Sequence, residues 1–279
     1  MLKILVPTDY SQEAKNATLY AFQFAQHTGS SILLYHAMPS VIPISDIPYE
    51  NYYLDEKQEE GLLLSSYNKL LIENNLNPDL VKVTPIVDQQ NLVHVGISFC
   101  AKNNQCDMVI MGTHGASGIK KMFLGSNTSQ YIANASLPVI AVPASYRFEP
   151  IYHLVYASDL NDLTEELGVL TPFAEVFHAA LEILYFDYAG PESEQLMIDA
   201  KTLLATQPYK NVKLSIKRGT IHLSVAENLK NQIESASTQL LVMVSGEHSW
   251  FDNLMIGSNA QQMVLAPKIP LLVLRKGEL

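Results

Sequence analysis

Asp107-Met-Val-Ile-Met-Gly-Thr-His-Gly115, running on through Ala-Ser-Gly-Ile-Lys-Lys-Met-Phe-Leu to Gly125-Ser126-Asn127-Thr128, decides the fold. Met108 to Met111 is an unbroken apolar run with no polar alternation, the pattern of a strand buried on both faces, and such strands belong to parallel sheets covered by helices on each side. Working outward, the pattern predicts strands over Lys3 to Pro7, Ile32 to His36, Val81 to Val87, Met108 to Met111 and Val139 to Val142. The helices it predicts between them are Glu13 to Gln26, Leu54 to Asn74, Leu92 to Asn104 and Thr128 to Asn134. Strands alternating with helices in this way indicate an open doubly wound α/β sheet with right-handed crossovers.

The same sentence is written twice in the chain. Ile4-Leu-Val-Pro-Thr-Asp9 and Ser31-Ile-Leu-Leu-Tyr-His36 return as Leu154-Val-Tyr-Ala-Ser-Asp159 and Glu182-Ile-Leu-Tyr-Phe-Asp187, with Asp9 and Asp159 offset by 150, as are Tyr35 and Tyr185. Further on, Gly125-Ser126-Asn127 returns as Gly257-Ser258-Asn259, and Pro138-Val-Ile-Ala-Val as Pro270-Leu-Leu-Val-Leu, at an offset of 132. A period of this kind marks a repeated structural unit. The offsets predict that the second copy is shorter by 18 residues, lost around Pro39 to Glu60, where the first copy carries three prolines and Tyr49, Tyr52 and Tyr53. The expected domains are 1–145 and 151–279, joined by a short connector.

Composition agrees with two packed cores. The 279 residues are 48% hydrophobic and 16% charged, and the length suits two domains better than one. The net charge of −10, without a dense Lys/Arg cluster, argues against nucleic acid and anionic membranes as partners. No apolar run approaches the roughly 20 residues of a membrane helix, and Met1 to Pro7 does not read as a secretory leader, so a cytoplasmic location is expected. Cys100 and Cys106 have neither redox-pair nor metal-ligand spacing and read as two reduced thiols, Cys100 on the packed side of a helix.

A doubly wound sheet binds ligands beyond the carboxyl ends of its strands, where the strand order reverses. Asp9, Ala37 and the segment from Gly112 to Gly115 reach that edge in the first copy. Gly112 and Gly115 allow close backbone approach, and Gly125 with Ser126 offers free N–H groups and a hydroxyl at a helix start, which favours phosphate. The same residues are also ordinary turn and capping residues, and spacing alone does not separate the two readings. Neither GxGxxG after strand one nor GxxxxGK[ST] is present.

The pattern Gly112-x2-Gly115-x9-Gly125-Ser126, flanked by Asp107-Met-Val-Ile-Met and Pro138-Val-Ile-Ala-Val, together with the opening Ile4-Leu-Val-Pro-Thr-Asp-Tyr-Ser11, resembles the universal stress protein family, in a tandem two-domain form. The resemblance implies two adenine nucleotide alpha hydrolase-like sheets of strand order 3-2-1-4-5, with the fifth strands, Val139 to Val142 and Leu271 to Leu274, paired as an internal pseudo-dimer. In the family's ATP-binding members the acid matching Asp9 lies at the nucleotide and the residue matching Ala37 meets adenine through its backbone. The glycines matching Gly112 and Gly115 line the ribose and phosphate path, and Gly125, Ser126 and Asn127 hold phosphate. The implied ligand is ATP or another adenine nucleotide, with any Mg²⁺ arriving alongside it because only Asp9 is placed to help. An unidentified protein partner and further pairing into a homodimer are left open.

The second copy departs from the pattern. Val244 stands for Gly112 and Glu247 for Gly115, with Gly246 nearby and Trp250 and Phe251 expected to fold over an emptied site or to pack against the other copy. The Glu247 carboxylate would face phosphate charge, and Asp187, expected at the position of Ala37, would add negative charge near the base or ribose. Nucleotide is therefore expected in the first copy only. His114, Lys120 and Lys121 supply charge near the loop, but no group reads as a base for phosphoryl transfer, so slow hydrolysis is the most these residues could support. His222 and His248 have no metal-ligand neighbours. The competing reading is a module of the same fold that has lost nucleotide and works as a protein-interaction scaffold, with Pro39 to Tyr53 as its surface.

Overall fold

The computed structural model describes residues 1–39, 56–113, 126–188, 190, 193–220, 222–235, 237–245 and 268–275. In the first half these form β1 (Lys3–Pro7), α1 (Gln12–Thr28), β2 (Ser31–Met38), α2 (Glu56–Glu73), a 3-10 turn at Pro78–Leu80, β3 (Val83–Gln89), α3 (Val93–Asn103), β4 (Met108–Gly112), α4 (Ser126–Asn134) and β5 (Val139–Val142). The second half gives β6 (His153–Ala157), α5 (Leu163–Phe177), β7 (Ala180–Asp187), α6 (Ser193–Thr206), β8 (Val212–Arg218), α7 (Val225–Ser235), β9 (Leu240–Ser245) and β10 (Leu271–Arg275).

The strands of the first half follow the order β3-β2-β1-β4-β5, and those of the second half β8-β7-β6-β9-β10. This is the expected 3-2-1-4-5 order of a doubly wound α/β fold. Among the described residues the chain divides into two compact units between Ala135 and Ser136, so β5 is grouped with the second unit. There it pairs antiparallel with β10, Leu272 opposite Ile140, as expected for strands 139–142 and 271–274.

Burial explains the strands. Ile4, Leu5 and Val6 of β1 and Val109 and Ile110 of β4 are wholly inaccessible, as befits central strands covered on both faces. Helix α1 is started by Ser11, whose hydroxyl accepts from the Ala14 N–H at 3.1 Å, and is stopped by Gly29 at φ 65°, whose N–H returns to the Ala25 carbonyl. Its small residues Ala14, Ala17, Ala21 and Ala25 let the helix lie close, while Tyr20, Phe22 and Phe24 fill the remaining space. Cys100 and Cys106 are both buried free thiols. Burial pushes the Cys100 thiol up to about 12, assisted by Cys106 and Asp88 and opposed by a hydrogen bond from Asn104.

Strand registers correct the internal correspondence. Lys3 pairs with Ser31, but His153, which corresponds to Lys3, pairs with Ala180, so the offset falls from 150 to 149 across the first helix. The cause is that α5 has 15 residues where α1 has 17, while the turn before it is one residue longer, a net loss of one. Ile32 pairs with Val83 and Leu181 with Val212, which makes the offset 129 at the third strand. The connection after β8 then regains three residues before α7, restoring 132. The length difference of 18 is therefore the net of three changes rather than one deletion. The largest, 20 residues, falls between the second and third strands.

Candidate functional site

The turn after β1 is built by its own polar groups. The Thr8 N–H donates to the Tyr35 carbonyl at 2.8 Å, the Tyr10 N–H to the Thr8 hydroxyl at 3.2 Å, and the Ser11 N–H to Asp9 Oδ1 at 3.0 Å. Tyr10 takes φ 62°, a left-handed conformation that these bonds must hold for a residue with a side chain. Asp9 thus shapes the turn with one oxygen while its side chain remains exposed. The second half repeats the device: the Leu160 N–H bonds the Ser158 hydroxyl at 3.0 Å, the Asn161 N–H bonds Asp159 Oδ1 at 3.1 Å, and Leu160 has φ 67°. The correspondence of Asp9 with Asp159 holds.

Ala37 lies one residue inside the end of β2, because the strand runs two residues beyond His36. Its neighbour His36 places Nδ1 at 2.7 Å from the Thr8 carbonyl and its ring 4.7 Å from that of Tyr10, tilted by 59°. This aromatic pair ties the end of β2 to the acid turn. Sequence reasoning passed over both rings, although Tyr10 and His36 each stand beside a residue it singled out.

The glycine segment is anchored at its two ends. Gly112 closes β4 and is buried, and its carbonyl accepts from the buried Thr128 hydroxyl at 2.9 Å. Thr128 is the third residue of α4, so this bond brings the end of β4 against the helix start formed by Ser126 and the exposed Asn127. Gly115 and Gly125 lie outside the described residues, as do His114, Lys120 and Lys121. Thr128 was not singled out from sequence. The signal was available, since the second copy has Ala260 at the matching position and Val244 in place of Gly112.

Asp9, Ala37 and Gly112 are therefore all at the carboxyl ends of β1, β2 and β4, with β1 between the other two at the point where the order reverses. A second polar group borders that edge. Ala37 is in register with Asp88 of β3, and the Gln90 side-chain amide donates to Asp88 Oδ2 at 3.1 Å. The Gln90 N–H donates to the Met38 carbonyl at 2.8 Å, closing β3 onto β2. Tyr35, on the same face as Ala37, is buried with a hydroxyl that has no hydrogen-bond partner among the described residues. Burial holds its phenol well above the usual tyrosine range, helped by the charge of Asp88 and by Cys100. Among the described residues no group of three or more His, Cys, Asp or Glu is arranged to hold a metal ion.

The second half replaces these groups. By strand register Phe186, not Asp187, occupies the position of Ala37, and Phe186 is buried. Asp187 stands level with Met38 and pairs in register with Arg218. The expected carboxylate at that position is thus corrected to an aromatic ring, and the reason is the one-residue shift across α5. Lys217 faces Phe186 where Asp88 faces Ala37. The expectations on Gly246, Glu247, Trp250, Phe251, Gly257, Ser258 and Asn259 lie outside the described residues, as does that on most of Pro39 to Tyr53.

A family model described as the universal stress protein family matches residues 1–143. A universal stress protein of Methanocaldococcus jannaschii is 25% identical over 152 residues, covering 50% of this chain and 93% of that protein. One from Thermus aquaticus is 28% identical over 144 residues, covering 50% and 96%. The crystal structure of a universal stress protein from Archaeoglobus fulgidus shares the fold over 99% of this chain and 98% of its own, with a TM-score of 0.68 at 18% identity. With the family match spanning just over half of its length, this chain belongs to the universal stress protein family.

Proposed function

We propose that residues 1–145 bind one adenine nucleotide, ATP or a close relative of it, that residues 151–279 bind none, and that occupancy changes the surface offered to a partner protein in a regulatory, stress-response role in the cytoplasm. The observation that carries the reading is the difference between two matched edges. At the first, an exposed Asp9, a small Ala37 and a Gly112 tied to the start of α4 leave room at the switch point. At the second, the buried ring of Phe186 stands where Ala37 does.

The residues of the first edge suit the ligand. Ala37 and Gly112 carry little or no side chain where a base and ribose would approach, and α4 begins at Ser126, a helix start whose N–H groups and dipole favour phosphate. Asp9 has one oxygen committed to the Ser11 N–H, so a divalent cation would be held chiefly by the nucleotide's own phosphates. The chain's residues bind and orient; none is placed as a base, and hydrolysis is at most slow.

The test is to denature the purified protein, identify any released nucleotide by mass, and measure stoichiometry per chain with and without added ATP and Mg²⁺. One equivalent is expected. Two would remove the asymmetry, and none even with added ATP would favour the scaffold reading. Gly115→Glu, which copies the residue of the second half, should abolish binding.

A further inference from the structure

The edge described above carries a carboxylate beside the position assigned to the base, and its chemistry bears on which base is accepted. Asp88 and Ala37 are in register on adjacent parallel strands, so their side chains project from the same face of the sheet. That face also carries Tyr35, the neighbour of Asp88 in charge and of Gly96 in space. Asp88 is held in place: Gln90 donates to its Oδ2 at 3.1 Å, and Gln90 is itself pinned through its backbone to Met38 at 2.8 Å. Gly96 makes this possible, since a Cβ there would stand 2.8 Å from Gln90 Cγ and would also strike the Tyr35 hydroxyl. Among the described residues nothing donates to Asp88 Oδ1, which leaves an oriented, charged acceptor at the strand edge.

We propose that Asp88 is the base-selecting residue of the nucleotide site, accepting a hydrogen bond from the 6-amino group of a purine and rejecting a 6-oxo purine; this rests on the nucleotide-binding reading of the first half. The exocyclic amine of adenine is a donor at the place where hypoxanthine and guanine carry a carbonyl acceptor. A fixed carboxylate gains a charge-assisted bond with the first and faces lone pairs with the second. The second half carries the reverse pairing. Lys217 is the register partner of Phe186 there, so a cation and a bulky ring replace the carboxylate and the small residue together. A carboxylate kept only to cap a strand end would not need to change sign along with its neighbour's size.

Equilibrium binding of ATP and of inosine triphosphate, each with Mg²⁺, to the full chain tests this. Wild type should prefer ATP by roughly 10- to 100-fold, the worth of one hydrogen bond to a charged group. Asp88→Asn can turn its amide toward a carbonyl, so the preference should collapse or invert, with inosine triphosphate binding more tightly than to wild type. Asp88→Ser, which removes the charge and shortens the reach, should weaken ATP and, by lifting the repulsion of the 6-oxo group, let inosine triphosphate bind more tightly than to wild type. An ATP preference that survives both substitutions overturns the role of Asp88 and leaves the nucleotide site standing. Binding of neither triphosphate to wild type overturns the site itself.

Discussion

Gly96 shows how a single position can be fixed by its neighbour. The eleven-residue helices α3 and α7 correspond at an offset of 132, which matches Gly96 with Asn228, while Tyr35 matches Leu184 through the second-strand register. In the first half a large side chain comes from the strand and the helix gives way with a glycine. In the second the strand residue is shorter and the helix supplies a buried asparagine, which accepts from the Thr220 N–H at 3.1 Å and donates to the Ser224 carbonyl at 3.1 Å and the Tyr188 hydroxyl at 3.2 Å. Those bonds stitch together the longer loop after β8. Gly96→Ala should therefore destabilise the protein by about 1–3 kcal/mol through overpacking. Tyr35→Phe removes a buried hydroxyl that has no hydrogen-bond partner among the described residues and should cost little, and in its background the Gly96→Ala penalty should shrink. Urea denaturation of the two single variants and the double variant measures the coupling; additive effects would show that the hydroxyl is not what Gly96 accommodates.

Elements in the second half are clamped by charge where the first uses apolar contact. Glu182 of β7 is nearly buried and accepts from His153 Nε2 of β6 at 2.8 Å and from Lys213 Nζ of β8 at 2.8 Å, so one carboxylate joins three strands. The matching residue on β2 is Leu33. Burial by itself would raise the Glu182 carboxyl, but hydrogen bonds from Lys213, Ser215 and His153 and the Lys213 charge hold it below the ordinary carboxylate range. A depressed folded value means that the contribution to stability is complete above the ordinary glutamate value of about 4.3 and is lost as pH falls through the depressed one. Thermal unfolding of Glu182→Gln against wild type should show a Tm lower by several degrees at pH 7 and a gap that closes below about pH 4. A gap that persists in acid would assign the loss to packing. Helix α5 is a second lesson at this scale. Pro172 withdraws the N–H that would bond to the Gly168 carbonyl, yet the helix runs from Leu163 to Phe177, because Leu163, Leu167, Leu170, Ala174 and Phe177 bury one face.

At the largest scale, β10 is paired along both of its edges. In the second unit β10 lies between β9, its parallel neighbour, and β5, its antiparallel one, and Leu272 is fully buried with Val242 and Ile140 as its register partners. An unpaired carboxylate there has no route to water. Leu272→Asp should leave little soluble, folded protein, whereas Leu272→Met, which conserves volume, should cost less than about 1.5 kcal/mol. Solubility on expression and the cooperativity of thermal unfolding distinguish these outcomes. A soluble, cooperatively folding Leu272→Asp would mean that β10 contributes little to the second unit. Among the described residues no helix is long and apolar enough to cross a membrane, in keeping with strands and helices that bury their apolar faces against one another.

The sequence by itself determined the class of fold, the alternation of elements, the position of Asp9 at the end of β1 and of Gly112 at the end of β4, and the internal repetition. These follow from local rules: an apolar run with no alternation is a buried strand, and glycines and small polar residues end it. What it misjudged was register. Aligning Tyr35 with Tyr185 by identity placed Asp187 at the position of Ala37, whereas pairing between strands puts Phe186 there. Only the tertiary structure decides this, because hydrogen bonds between β6 and β7 fix which residues are level and a helix two residues shorter between them leaves no trace in either strand's pattern. For the same reason the bond from Thr128 to Gly112, the His36–Tyr10 pair and the carboxylate of Asp88 beside Ala37 emerged from the fold. Each joins segments that are remote in the chain, and only the sheet brings them to one edge.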